Sequence, residues 1–391
     1  MKILYLQKYG DKLLFAIALA LMIGALFPFL SNIINSTRRE AIITLVFTQW
    51  WHDELEEDVL TGLIKEFESH HNGIRVVLDT RSYEDIWQDF FYHRELSFRA
   101  DVFALDPLWV PELQKKEIIE NPSPVLLSFI NVLYYNIDIL AEAGFSRPPR
   151  NRGEFTAYSR AVTNLVRRGL VMEISGPRGA YDDVFPWIWS AGASLTNNGN
   201  PALATASFIA SLAFLQTLNN EGLILHSAGG KLEDFVLGRA AFMIAPAWII
   251  DYVRKHMGDE AFSITSIPPP DNYAGRTFFA SQDWILAINP ASEHKDEARL
   301  FMDFLVENGS LLSEETVASP PDSIQAISDP LYSKVWEIAM AGQVAGDFAG
   351  LPWFELDRLL REELDTLFTG TSTPAQTAAA IQRAWETILR E

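Results

Sequence analysis

Trp50 and Trp51 follow directly on a short apolar run, Tyr83 stands at the start of a helical pattern, and Asp106 and Trp109 follow a third apolar run. Rings of this kind cover the C–H faces of a solute such as a sugar, while carboxylates and amides hold the hydroxyls around its rim. Each residue also has a plainer role open to it. One of Trp50 and Trp51 packs inward and only the other faces a cleft, Tyr83 covers a helix start, and Asp106 caps the helix opening at Pro107. The set suits binding. No pair of carboxylates is selected for glycoside hydrolysis, and the signatures G-x-S-x-G, H-E-x-x-H, G-x-x-x-x-G-K-[ST] and G-x-G-x-x-G are absent. A glycan-acting hydrolase therefore stands as the rival reading, without a motif of its own.

The elements that must carry these side chains alternate. Ile42 to Thr48 reads as a buried strand, and DELEEDVLTGLIKEFESH as a helix whose acids fill its first turn, with Asn72-Gly73 ending it. Ile74 to Asp79 is a second strand, Ser82 and Asp85 start a second helix, and Asp101 to Leu105 is a third strand. Such alternation predicts a parallel sheet with helices on both faces and ligand loops beyond the strand C-terminal ends, here 49–53, 80–83 and 106–111. After PPRNRGEF a helix to about Arg168, the strand-like LVMEIS and the aromatic segment AYDDVFPWIWSAGA begin a second unit. Helices at 204–219 and 247–256 and strands at 241–245, near Ile264 and at 285–288 continue it. Thr373-Pro374 caps a last helix with Ile381, Trp385, Ile388 and Leu389 on one stripe. Trp87, Trp336 and Trp385 fall within apolar helical patterns and read as core.

Composition sets the outer bounds. A chain of 391 residues has room for two or three domains, and 51 acidic against 31 basic residues leave no positive surface for nucleic acid. The absence of cysteine removes disulfides, thiolate metal sites and a lipid-modified cysteine. Seven scattered histidines, with His70 and His71 at a helix end, suggest dipole placement rather than metal ligation. No cofactor is expected.

Residues 13–30 form an uncharged apolar run behind Lys2, Lys8 and Lys12, so residues 1–40 read as a signal peptide or a membrane anchor, an N-terminal hydrophobic helix in either case. The lysines favour delivery of the rest outside the cytoplasmic membrane. Without residues 1–40 the balance is 26 basic to 49 acidic residues.

In order, the blocks TLVFTQWW, LIKEFESHHNGIRVVLDTRSYEDI, ADVFALDPLWVPEL, PVLLSFINVLYYNIDILAEAGFSRPPRNRGEF, FVLGRAAFMIAPAW, EARLFMDFLVENG and LFTGTSTPAQTAAAIQRAWETIL run through residues 42–391. By them the chain resembles the extracellular (periplasmic) solute-binding proteins of ATP-driven importers, sugar-binding family 1, the group that includes maltose-binding protein. That resemblance implies an α/β, two-lobed periplasmic-binding-protein fold of type II with a hinge. Lobe 1 would take 41–133 plus 284–328 and lobe 2 would take 134–283 plus 329–391. It implies a non-enzymatic monomer that captures an extracytoplasmic sugar or oligosaccharide and delivers it to membrane permease subunits. In the second lobe it implies ligand contacts from Tyr181, Asp182, Asp183, one of Trp187 and Trp189, Trp248 and Trp353, with Asp283 of SQDW alongside. Tyr134-Tyr135 is similar to the paired tyrosines of ferric-ion binders, which makes a metal-binding importer component the second rival. Its context, LYYNIDILAEAG, is in the sugar group a strand crossing between lobes. The loop Gln49-Trp50-Trp51-His52 departs from the small polar loop usual in the family.

Overall fold

In the computed structural model β1 (Ile43–Gln49) lies in parallel between β2 (Ile74–Thr80) and β3 (Val102–Leu105), as β-branched runs separated by helices require. The structure describes residues 42–51, 55, 58–92, 100–176, 178–275, 278–279, 281–313, 316–317, 327–345 and 351–390. The expected leader, residues 1–40, lies outside them. No helix among the described residues is long and apolar enough to cross a membrane.

Six further strands complete the main sheet: β4 (Leu127–Asn136), β5 (Arg168–Met172), β6 (Ile224–His226), β7 (Ala240–Pro246), β8 (Phe262–Thr265) and β9 (Ser281–Ile288). Their order is β2-β1-β3-β9-β4-β7-β5-β6, with β8 added to β4. Two strands change partner along their length. β9 pairs antiparallel with β3 through Ile285 to Ile288 and with β4 through Ser281 to Trp284. β4 pairs with β9 through Leu127 to Ile130 and with β7 through Asn131 to Tyr135.

The core divides along the same strands. Leu127 and Phe129 join a cluster built on Phe47, Trp51, Phe67, Phe103 and Phe301. Leu133 joins one built on Phe155, Trp187, Phe208, Phe242 and Trp385, and Tyr134 a third with Met243, Val253 and Phe262. All ten residues of β4 are buried, which explains why its sequence reads as continuous apolar rather than alternating.

Two expectations about helices are corrected. The first helix is Val59–His70, and its first turn carries no acid, because Asp58 takes a left-handed backbone (φ 78°) that interrupts the helical path after DELEED. The helix expected to reach about Arg168 is Arg152–Val162. Thr163 turns extended, the Asn164 side chain accepts from Val166 N and Arg167 N, and Arg168 already belongs to β5. Elsewhere the local signals appear as read. Ser82 accepts from Asp85 N at the start of helix Tyr83–Phe91, and Thr373 and Gln376 form a capping box on helix Pro374–Ile388. Trp87, Trp336 and Trp385 are all core.

Candidate functional site

The loops beyond β1, β2 and β3 bring together three side chains far apart in sequence. The Trp50 and Tyr83 rings meet edge-on at 5.3 Å, and the Tyr83 hydroxyl donates to Asp106 Oδ2 at 2.8 Å. Asp106 both caps and lines the site: its Oδ1 accepts from Leu108 N at 2.9 Å and fixes the turn Pro107–Trp109. Burial, and then the Asp106 carboxylate beside it, push the Tyr83 phenol well above its ordinary value, so Tyr83 acts as a donor.

Facing them is a second group from the other half of the sheet. It comprises Trp248 after β7, the wide π-helical turn Ala180–Val184, and Gln282 and Asp283 from β9, while Trp284 packs with Trp50 and Trp51 on the first side. Between the two groups lies a cavity of about 230 Å³. Asp182 is held by Asn131 Nδ2 at 2.9 Å and Gln282 Nε2 at 3.1 Å, and Gln282 Oε1 accepts from Trp248 Nε1 at 3.2 Å. Asp183 pairs with Lys231 Nζ at 3.0 Å and accepts from Glu173 N at 2.7 Å, yet burial outweighs Lys231 and pushes its carboxyl up to about 6. Burial also raises Asp283, which accepts from Ser128 Oγ at 2.5 Å. Arg178 reaches across the cavity to the Asp106 carboxylate while its Nε donates to Asp182 Oδ2 at 3.3 Å.

Of the side chains expected from sequence, Trp50, Tyr83, Asp106, Asp182, Asp183, Trp248 and Asp283 line this cavity. The others are placed elsewhere. Trp51 is fully buried and stacks on Trp284 at 5.1 Å, and Trp109 is buried against Tyr83 and Phe90. Trp187 and Trp189 are both core, although one of the two was expected in the cleft; five residues, Phe185–Trp189, make a helix buried on every side. Tyr181 is buried behind the cavity with its hydroxyl on Ser281 O at 3.0 Å. Trp353, expected to stack on solute, is 3% exposed and packs edge-on against Tyr181 and Phe185.

Seven lining residues were missed: the polar Glu173, Arg178, Lys231 and Gln282, together with Gly176, Gly179 and Trp284. Two had a signal. Glu173 follows β5 and Lys231 follows β6, both parallel strands, so the rule that found Trp50 and Asp106 applies to the second half as well. Among the described residues no three His, Asp or Glu side chains are grouped to hold a metal, and Tyr134 is spent in the core on Pro246 O at 2.9 Å.

Comparison with solved structures identifies the fold. The GacH receptor of Streptomyces glaucescens, described unliganded and with acarbose, aligns with a TM-score of 0.74 at 15% identity over 89% of this chain and 98% of that one. An ABC substrate-binding protein from Listeria monocytogenes in complex with cycloalternan aligns with 0.74 at 13% identity over 89% and 99%. UgpB from Mycobacterium tuberculosis in complex with glycerophosphocholine aligns with 0.74 at 16% identity over 89% and 98%. These likenesses establish the α/β fold of the two-lobed periplasmic binding proteins. A search of curated proteins by sequence finds no match. The family model for bacterial extracellular solute-binding proteins matches residues 53–310, about two thirds of the sequence, and the chain belongs to that family.

Proposed function

We propose that the chain is the solute-binding component of an ATP-driven importer, capturing a sugar or oligosaccharide outside the cytoplasmic membrane and passing it to permease subunits. The observation that carries this reading is the cavity itself. It lies beyond the C-terminal ends of parallel strands, between two halves of the sheet, with rings and hydrogen-bonding carboxylates from both sides. Two of the solved relatives above are described with carbohydrate-type ligands, which favours the same class.

In this reading Trp50, Tyr83 and Asp106 meet the solute from one lobe, and Trp248, Asp182, Asp183 and Asp283 from the other side. Lobe 1 is 41–133 plus 284–328 and lobe 2 is 134–283 plus 329–391, bending about β4 and β9. The changes of partner after Ile130 and Trp284 support a hinge there. Residues 1–40 direct export or anchor the protein, which works as a monomer without catalysis. Residues 314–315 and 318–326, in the last part of the lobe 1 segment 284–328, lie outside the described residues.

Screening a panel of mono- and disaccharides by thermal shift, followed by small-angle scattering at saturation, tests the reading. At least one saccharide raises the melting temperature, compacts the protein and is recovered chemically unchanged. Unchanged dimensions with a saturating ligand would count against lobe closure, and recovery of cleaved sugar would point to the hydrolase.

A further inference from the structure

Arg178 is 9% exposed, and its three guanidinium nitrogens have different fates. Nη1 donates to the Asp106 carboxylate across the cavity, Nε donates to Asp182 Oδ2 at 3.3 Å, and Nη2, wholly buried, has no hydrogen-bond partner among the described residues. The group also lies 4.5 Å over the Tyr181 ring, which fixes its plane. A guanidinium offers five N–H donors in a rigid fork, and leaving a buried one unmade is costly, so Nη2 would take an acceptor from a solute that enters the cavity and displaces the side chains covering it.

The surroundings decide what kind of acceptor that is. The same cavity is lined by the carboxylates Asp106, Glu173, Asp182, Asp183 and Asp283 and by only two cations, Arg178 and Lys231. Lys231 is committed to Asp183, and the charge of Arg178 is already met by Asp106 and Asp182. An anionic group arriving at Nη2 would gain little from a neutralised guanidinium and would be repelled by the remaining carboxylates at low dielectric. A hydroxyl, ring or carbonyl oxygen has no such penalty.

We propose that Arg178 sets the specificity of the site: its Nη2 holds an uncharged oxygen of the ligand, and the acidic lining rejects solutes bearing a carboxylate or phosphate. The inference rests on the reading of the cavity as a saccharide site and narrows it to uncharged saccharides over uronic acids and sugar phosphates. It also separates this chain from a binder of phosphodiesters built on the same fold.

The test measures binding to the full-length protein by thermal shift and calorimetry. The probes are D-glucose, D-galactose, D-xylose and maltose, D-glucuronate and D-galacturonate, glucose 6-phosphate, glycerophosphocholine, and the non-sugar polyol myo-inositol. At least one neutral sugar binds, and its acidic or phosphorylated counterpart binds about tenfold more weakly or not at all. In Arg178→Lys, which keeps the charge but loses the planar fork, affinity for that sugar falls about tenfold or more at a similar melting temperature. In Asp283→Asn the discrimination against the acidic counterpart shrinks, a change that a purely structural role would not produce. Should Arg178→Lys fail to fold, the Asp283→Asn ratio decides alone. Equal or tighter binding of the uronate than of its neutral parent overturns the inference and leaves the saccharide reading intact. Binding of inositol but no sugar overturns the saccharide reading and with it the inference that rests on it. Binding of the phosphate-bearing probes alone, or of none of the probes at 10 mM, overturns both.

Discussion

Trp248 Nε1 donates to Gln282 Oε1 at 3.2 Å, so a ring from the turn after β7 is oriented by a side chain of the crossing strand β9. The bond holds the indole at its rim and leaves part of the ring exposed to the cavity. The ring packs against two core clusters at their margin and is only partly buried, so Trp248→Ala removes a stacking plane while opening little of the core. Affinity for the best saccharide of the panel falls by about 2 kcal/mol, roughly thirtyfold, with little change in melting temperature. Calorimetric titration beside thermal unfolding checks this, and normal binding by a variant that melts far earlier would make the ring scaffold.

Trp353 is expected to behave oppositely. It is buried against Tyr181, Phe185 and Trp385, so Trp353→Ala leaves a cavity and costs about 3–5 kcal/mol of stability. Denaturant unfolding measures the loss, and the folded fraction keeps wild-type affinity to within a few-fold.

Lys231 and Asp183 form a buried pair at 3.0 Å. Lys231→Met strands a carboxylate in a site where burial already raises it to about 6, at a cost of about 3–5 kcal/mol near neutral pH. The double variant with Asp183→Asn recovers part of that loss. Recovery absent from the double-mutant cycle would mean the two side chains are not coupled.

Glu112 is buried, and although its Oε2 accepts from Phe354 N at 3.3 Å, burial pushes its carboxyl up to about 7. The folded protein therefore holds this proton more tightly than the unfolded chain does. The stability it contributes is complete below about pH 4.5 and is lost as pH rises through about 7. Glu112→Gln removes that loss, so its melting temperature gains on the wild type between pH 5 and pH 8. A constant difference across that range would show that Glu112 titrates normally.

The capping box on the last helix gives a small effect of known sign. Thr373→Ala loses the bond to Gln376 N, and stability falls by about 1 kcal/mol, read as an earlier urea midpoint with unchanged slope.

What sequence disclosed follows the range of the forces involved. Period and caps located the strands and most helices, because these depend on neighbours within a few residues. The strand-end rule found Trp50, Tyr83 and Asp106. It was silent on which of two adjacent tryptophans turns inward, since that depends on Trp284, which stacks on Trp51 from a strand remote in sequence. Trp353 and Trp187 misled for a related reason. A large ring near a family site position is equally at home in a core, and only the packing of the helix Pro374–Ile388 over Trp353 through Trp385 separates the two. Arg178 left only the local signal of Asp182 four residues on; its reach to Asp106, 72 residues away, depends on the two halves of the sheet meeting.

The placement of β9 carries a consequence for how the chain acquires its shape. Between them β3 and β4 leave a gap in the sheet that only Ser281 to Ile288 fills, with Leu105 waiting for Ile285 and Ile130 for Ser281. A chain emerging N-terminus first must hold two apolar strand edges apart while the whole of residues 137–280 appears. Exposed edges of that kind invite pairing with other chains. Closure of so long a loop is entropically costly, so the pairing of this central strand is expected to lag behind that of β1, β2 and β3. A protein truncated before Ser281 would then aggregate rather than yield a stable first half.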